Sequence, residues 1–401
     1  MAGRRSVTVV IVGAGVTGLS TSYHLARRNF GRIILIDKGP VGDGSSQRAA
    51  AIITGHLWTE AGVCVRKQCL KLYAELSEEL TDYRFRQTGC LNLFDAGSWR
   101  DRKPLLPLYD KLSAPYREMD CSEIKRNWPA LSPASDAVGL FDPLGGYSEP
   151  AEYIPALKRR VEQLGVEIRE NETVTGIETT AGVAQGVRTA GGLIEADAVV
   201  STVYCWTRPV LETVGISLPV KSFVHQRFVT EPLSEPIEIP AVNANPYMGY
   251  FRPAPSGAIL AGLETAEREE YLVDSLNFHL SELTIPPDLK DRLRANLQPL
   301  FPALRNANWV SEKIGLITFS MDGEPILGPV PQIRGLFVGV AFHSGGFAYN
   351  PGTGELLADY VMSGKPAIDV SSWAVDRFHN QETHEYLNKR LAQKDVARRR
   401  H

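Results

Sequence analysis

The chain has 401 residues, room for two or three domains at roughly 150 residues each. With 43% hydrophobic and 22% charged residues, 35 Gly and 26 Pro, its composition excludes a disordered, collagen-like or coiled-coil protein. Forty-three Lys and Arg against 46 Asp and Glu leave a formal charge of −3, so no whole-molecule field draws in nucleic acid, and none is expected as a partner.

The five cysteines (Cys64, Cys69, Cys90, Cys121, Cys205) are scattered and include no C-x-x-C pair. They indicate neither a disulfide framework nor a metal site, and point to a reducing compartment, by default the cytoplasm. Arg4-Arg5 ahead of Val7–Val12 imitates a secretory signal, but glycines at 13, 15 and 18 break the run and no small-residue cleavage site follows. No stretch reaches the ~18 apolar residues of a transmembrane segment.

Val7–Val12 is apolar throughout, as in a strand buried on both faces of a parallel sheet. It runs into Gly13-Ala14-Gly15-Val16-Thr17-Gly18 and then a helix with Val16, Leu19, Tyr23 and Ala26 on one side. Ile33–Ile36 reads as the next strand, ending at Asp37-Lys38. This is G-x-G-x-x-G with a strand before it, a helix after it and an acid closing the following strand, the context of a dinucleotide site. Gly13 permits the turn, Gly15 lets the backbone approach a pyrophosphate, and Gly18 lets helix and strand pack closely. The helix start at Val16 and Thr17 offers free N–H groups to phosphate, and Asp37 is placed to accept ribose hydroxyls. To this point NAD and FAD both remain open.

In Gly42–Ile52, small and hydroxyl residues beside a basic one (Ser45, Ser46, Arg48, Ala50, Ala51, Ile52) suit a loop against a second phosphate and an isoalloxazine ring. Ile194–Val200 reads as a single strand leading into Ser201–Trp206. Ser222–Glu231 and Tyr247–Leu263 alternate as sheet strands do. On the second of these, one of Tyr250 and Phe251 faces a cavity and the other the core, with Arg252 on the face of Tyr250. Gly335–Val340 is a further strand. The glycine-rich Phe342–Gly354, with Pro351, opens a helix over Glu355–Met362 and builds a second anion site. The tail from 374 reads as an added helix ending in solvated Arg398–Arg400.

These segments in this order resemble the D-amino-acid oxidase superfamily of FAD enzymes, and within it monomeric sarcosine oxidase, glycine oxidase and the dye-linked proline dehydrogenases. The resemblance is carried by GAGVTGLS from Gly13, GGYSEPAEYIPAL from Gly145, VTGIE from Val174, MDGEPILG from Met321 and HSGGFAYNPGTGELLADYV from His343. It implies an α/β fold in which a Rossmann-like FAD-binding domain (1–80, 148–215 and 310–378) is interleaved with a substrate domain built on a large mixed β-sheet (81–147 and 216–309), followed by a basic helical tail (379–401). FAD rather than NAD follows from it. Cofactor contacts are expected at Gly13, Gly15, Val16, Thr17, Gly18, Asp37, Lys38, Ser45, Ser46, Arg48, Ala50, Ala51, Ile52, Val174, Trp206, Gly345, Gly346, Phe347 and Ala348. The implied reaction oxidises the C–N bond of an amine or amino acid (proline-, sarcosine- or N-methyl-amino-acid-like) to an imine, by hydride transfer from the α carbon to flavin N5.

The chain also departs from these relatives. Gly315–Asp322 lacks the cysteine that tethers the flavin in sarcosine oxidase, and Arg48 stands where other relatives have a histidine, so the FAD is expected to be non-covalent. Thr54, Ala348 and Ile317 stand where relatives place the cations that grip a substrate carboxylate. Arg66, Arg252, His56 and His343 are left to do so, and a larger, uncharged amine is the other way to read the loss. His343, His56, Tyr250 and Arg252 are the candidate catalytic residues. Leu260 replaces a lysine associated with oxygen reduction, which favours a dehydrogenase passing electrons to a quinone or electron carrier. The alternatives are a hydrogen-peroxide-forming oxidase, a tailoring oxidase of a larger secondary-metabolite amine, or a flavin-bearing subunit of a homo- or hetero-oligomer. Tyr204 replaces a glycine of the family's A-A-G-x-W turn, so the local geometry there is expected to differ.

Overall fold

A computed structural model describes residues 7–235 and 237–397. The Arg398–Arg400 run lies outside the described residues. Thr8–Val12 is a central strand of a six-stranded sheet, between Arg32–Ile36 and Ala198–Ser201, with Glu167–Arg169 and Leu336–Val340 beyond them. These five run parallel; only the edge strand Ile326–Pro329 is antiparallel. A parallel sheet must be covered on both faces, and the alternation of side chains shows how that is achieved here. Val9 and Ile11 join one apolar core with Leu19 and Tyr23 of the helix Val16–Arg27 and Leu356 and Leu357 of the helix Gly346–Ser363. Val10 and Val12 join another with Val174, Ile177 and Val187, from a three-stranded antiparallel layer on the opposite face. Each such side chain, once fully buried, contributes about 1.5–3 kcal/mol.

Ile194–Val200 is not one strand. Gly192–Glu195 pairs in the three-stranded layer and Ala198–Ser201 in the six-stranded sheet, because Asp197 turns the chain between them, its side chain accepting from Thr8 N at 2.8 Å.

The second large layer is an eight-stranded mixed sheet in the order Trp309–Ser320, Val220–Thr230, Ile259–Leu263, Gly249–Pro253, Ala241–Ala244, Cys90–Phe94, Val138–Asp142, Arg117–Asp120. One pair, Ala241–Ala244 with Cys90–Phe94, is parallel and the rest are antiparallel. One face packs Leu91, Phe228, Val242, Phe251 and Ala261 against the helix Leu289–Leu297. The other face carries His225, Asn243 and Tyr250 toward the first sheet. The sheets meet where His343 N donates to Thr318 O at 3.0 Å.

The C-terminal segment closes the far end. After the helix Asn380–Asn388, Lys389 O accepts from Lys221 Nζ at 2.6 Å, and Val396 packs with Phe223, Ile317 and Phe319. Lys221 is itself ion-paired with Glu270, both buried.

The helix expected at Glu355–Met362 begins earlier, at Gly346. Proline inside a helix removes a donor and frees the carbonyl one turn back. Here that carbonyl, of Phe347, accepts from Tyr73 Oη and Asn350 Nδ2, each at 2.5 Å, so the helix runs through Pro351. Its uncapped start moves to Gly345–Phe347.

Pro351 O is in turn held by His24 Nε2 at 3.0 Å. Burial, with Arg28 adding to it, pushes the His24 imidazole down to about 3. The folded chain therefore keeps His24 neutral, while the unfolded chain protonates it below its ordinary value of 6.5. This contribution is fully present above pH 6.5 and is lost as the pH falls toward 3, at up to about 1.4 kcal/mol per pH unit. Urea midpoints at pH 7 and pH 5 are expected to differ less in His24→Gln than in the parent; equal differences would remove His24 from the acid response.

Candidate active site

Between the two large sheets lies an elongated cavity of about 270 Å³. At one end is the glycine turn. Gly13 has φ +101°, and its N–H donates to Ile36 O at 2.8 Å. A Cβ at Gly13 would lie 2.8 Å from Thr202 O, and one at Gly18 would collide with Gly13 O. The helix Val16–Arg27 starts at Gly15 with no side-chain cap, though Val16 N finds Ser46 Oγ at 3.0 Å. Asp37 holds the turn, accepting from Ala14 N at 2.7 Å and Gly39 N at 2.9 Å. Its burial outweighs these bonds and holds the carboxyl above the usual carboxylate range. Glu172, Val174 and Trp206 complete this end. Lys38 also lines it, but its ammonium caps Leu276 O at 2.9 Å and lies 4.2 Å from the Trp206 ring centre.

The middle is walled by Ser45, Ser46, Arg48 and Ala49–Ile52. Arg48 binds the carbonyls of Asp43 and Gly44, and Ser45 Oγ donates to Leu316 O at 3.0 Å. Ala51 sits at φ +55°, pinned by Ser148 N on its carbonyl at 3.1 Å.

The far end is a chamber. Thr54 and Arg66 form one side; His225, Asn243, Tyr250 and Ile317 come from the eight-stranded sheet; His343–Phe347 come from the helix start. Tyr250 Oη lies 3.1 Å from His225 Nε2 and donates to Gln226 O at 3.3 Å. Asn243 Nδ2 donates to Asn92 Oδ1 at 2.8 Å. His343 has φ +46°, and Tyr204 fixes it there: Tyr204 Oη donates to His343 O at 2.7 Å and accepts from Thr318 N at 3.0 Å. Burial pushes the Tyr204 hydroxyl well up, so it stays a donor.

The family described as FAD dependent oxidoreductase matches residues 8–360. The chain belongs to it. Among relatives of the oxidoreductase, 4-methylaminobutanoate oxidase (formaldehyde-forming) of Paenarthrobacter nicotinovorans is 26% identical over 389 residues, covering 96% of this chain and 47% of that one. Sarcosine oxidase subunit beta of Arthrobacter sp. is 28% identical over 386 residues, covering 94% and 92%. The chain thus spans about half the length of the first relative and nearly all of the second. Among solved structures, L-proline dehydrogenase from P. horikoshii superposes with a TM-score of 0.85 at 24% identity, covering 93% of this chain and 98% of that one. Glycine oxidase from Geobacillus kaustophilus does so at 0.78 and 23%, covering 93% and 100%. These two share the fold.

The cofactor is FAD, and the residues of the oxidoreductase fit it. The cavity is long, a glycine cradle that a single Cβ would fill stands at one end, and two helix starts without side-chain caps, at Gly15 and Gly345, border it. Of the expected contacts, Gly18 and Ala348 do not line the cavity: Gly18 is pressed on Gly13, and Ala348 points behind the helix start.

Two expected catalytic residues are not brought there. His56 is stacked on Tyr109 with ring centres 5.0 Å apart, and its Nε2 bonds Pro115 O at 3.1 Å; burial lowers its affinity for a proton. Arg252 is fully buried behind the loop, ion-paired with Glu149 and donating to Ala50 O at 2.6 Å and Pro253 O at 2.7 Å. His343 and Tyr250 do line the chamber. His225 and Asn243 were not expected. Their signal was strand alternation, but only the pairing of Asn243 with Tyr250 sets which face is inward.

Among the described residues, no helix is long and apolar enough to cross a membrane.

Proposed function

We propose that this oxidoreductase oxidises the C–N bond of an amine or amino acid, as a dehydrogenase. The observation that carries the reading is the chamber at the end of the dinucleotide cavity, where Tyr250, His225 and Asn243 face the helix start at His343–Phe347. Relatives named for the oxidation of 4-methylaminobutanoate and sarcosine support the same substrate class.

In this reading Gly13, Gly15, Val16, Thr17 and Ser46 hold the pyrophosphate, Asp37 the ribose, and Val174 and Trp206 the adenine side. Ala50, Ala51, Ile52 and Gly345–Phe347 hold the flavin. Bound FAD supplies the hydride acceptor for the substrate α carbon. The free N–H groups at the start of Gly346–Ser363 favour negative charge placed against them. The paired Tyr250 hydroxyl and His225 imidazole orient the substrate nitrogen and take its proton. No cysteine lines the cavity among the described residues, which supports a non-covalent cofactor.

The dehydrogenase reading rests on Leu260. It lies beside Arg252 on neighbouring strands, and Arg252 is ion-paired with Glu149, so its charge is not offered to reduced oxygen. A quinone or electron carrier is the acceptor in this proposal. Five free thiols support a cytoplasmic location, and the named subunit among the relatives supports assembly with further chains.

Anaerobic titration of the holoenzyme with proline, sarcosine, glycine and N-methyl amino acids is expected to bleach the flavin band with at least one of them. Air should then restore it slowly and a dye acceptor quickly. Hydrogen peroxide formed as fast as substrate is consumed would make it an oxidase. A band that none of them bleaches would move the substrate to larger, uncharged amines.

A further inference from the structure

We propose that Arg66 binds the carboxylate of the substrate, so that the amine taken by this chamber is an amino or imino acid. This rests on the reading of the site as an amine oxidoreductase, and it gives the substrate its charge.

Arg66 lies on the helix Glu60–Glu79 and is 3% exposed, yet its side chain forms part of the chamber wall. Its guanidinium lies 4.0 Å over the Tyr349 ring, with a long contact from Nη1 to Thr54 O at 3.3 Å. A Cβ on Gly345 would collide with Nη2, so the glycine at the helix start is what lets the guanidinium come so close. Nε is buried without a hydrogen-bond partner.

Among the described residues, no carboxylate lies within 4.0 Å of this guanidinium. Asp142, beyond Thr54, is occupied with Thr54 Oγ1 at 3.0 Å, Gly55 N at 2.6 Å, Leu144 N at 3.0 Å and Gly145 N at 3.1 Å. Of the other deeply buried cations, Arg252 is matched by Glu149 and Lys221 by Glu270, while Arg102 donates to His56 O and Tyr109 Oη and Arg227 to Gln47 O, and neither of these two lines the cavity. A buried cation lacking a counter-ion is costly, and a planar fork of donors suits a carboxylate.

The remaining cavity cations are committed elsewhere. Lys38 caps Leu276 O, and Arg48 binds the carbonyls of Asp43 and Gly44. Arg66 reaches the chamber from a helix position of its own. Thr54, Ile317 and Ala348 carry no charge, and Thr54 contributes only its carbonyl behind the guanidinium.

The test uses the holoenzyme with cyclopentanecarboxylate and cyclopentanecarboxamide, which share a shape but differ in charge and carry no oxidisable amine. Binding is read from the perturbation of the flavin spectrum. The parent is expected to bind the carboxylate, and Arg66→Gln to bind it about a hundredfold more weakly with the carboxamide unaffected. Arg66→Lys should recover part of the loss, and the FAD content and flavin reduction potential of both variants should match the parent. Equal weakening of both ligands, or a lowered flavin potential with ligand binding intact, would overturn the proposal and give Arg66 to the flavin instead. If Arg66 governs carboxylate binding but no amino acid bleaches the flavin, the amine reading fails while the anion site stands. If amines bleach the flavin but Arg66→Gln binds cyclopentanecarboxylate as tightly as the parent, the amine reading stands and the anion site fails.

Discussion

Gly18→Ala is expected to yield a chain purified with less than about a tenth of the parent's FAD. The new methyl would collide with Gly13 O and lie 2.9 Å from Thr202 Oγ1. Neither neighbour can yield freely. Gly13 is held by Ile36 O, and Thr202 Oγ1 donates to both Val12 O at 3.0 Å and Gly13 O at 2.9 Å. Relief requires the helix Val16–Arg27 to lift from the sheet. Its far side is packed on Gly346–Ser363, where Gly354 lies so close to Ser20 that a Cβ there would collide as well. Overpacking of this kind costs about 1–3 kcal/mol. It also displaces the N–H groups proposed to hold the pyrophosphate, so cofactor loss is expected to exceed the loss of stability. Flavin absorbance per protein and the urea midpoint measure the two effects. A fully yellow Gly18→Ala protein with an unchanged midpoint would contradict the cradle geometry.

The largest loss of stability is expected from Arg252→Ala. Removing this fully buried guanidinium strands the Glu149 carboxylate and orphans the Ala50 carbonyl. Breaking one partner of a buried pair costs about 3–5 kcal/mol. The double change Arg252→Met with Glu149→Gln should recover most of it, since neither replacement leaves a buried charge. Urea unfolding of the parent and the two variants gives the comparison. The ratio of carboxylate to carboxamide affinity in Arg252→Ala should stay that of the parent. A midpoint equal to the parent's together with loss of the carboxylate ligand would place Arg252 in the chamber after all.

How far the sequence could be read depended on the range of the interactions involved. The nucleotide end was legible because turn, helix and acid follow one another within Gly13–Asp37. Tyr250 and Phe251 were separable by alternation, and Phe251 stacks on Phe301 with ring centres 5.0 Å apart while Tyr250 lines the chamber. Arg252 and His56 were misplaced because their partners, Glu149 and Pro115, are remote in sequence and capture them before a ligand could. Lys38 adjoins Asp37 yet turns to Leu276 and Trp206 for the same reason. His225 could not be oriented until the Val220–Thr230 strand had found its register with Trp309–Ser320. Arg66 was visible only as one candidate among four; what distinguishes it is its place in the chamber wall with no carboxylate beside it.

The strand order of the nucleotide sheet also sets a timetable. Thr8–Val12 and Arg32–Ile36 leave the ribosome well before their neighbour Ala198–Ser201, and Leu336–Val340 and the helix Gly346–Ser363 follow later still. The glycine turn is therefore at first a half-built cup, whose floor and lid arrive only with Ala198–Ser201 and Gly346–Ser363. Cofactor capture in this chain therefore waits for Gly346–Ser363, and a chain stopped before Gly346 is expected not to turn yellow.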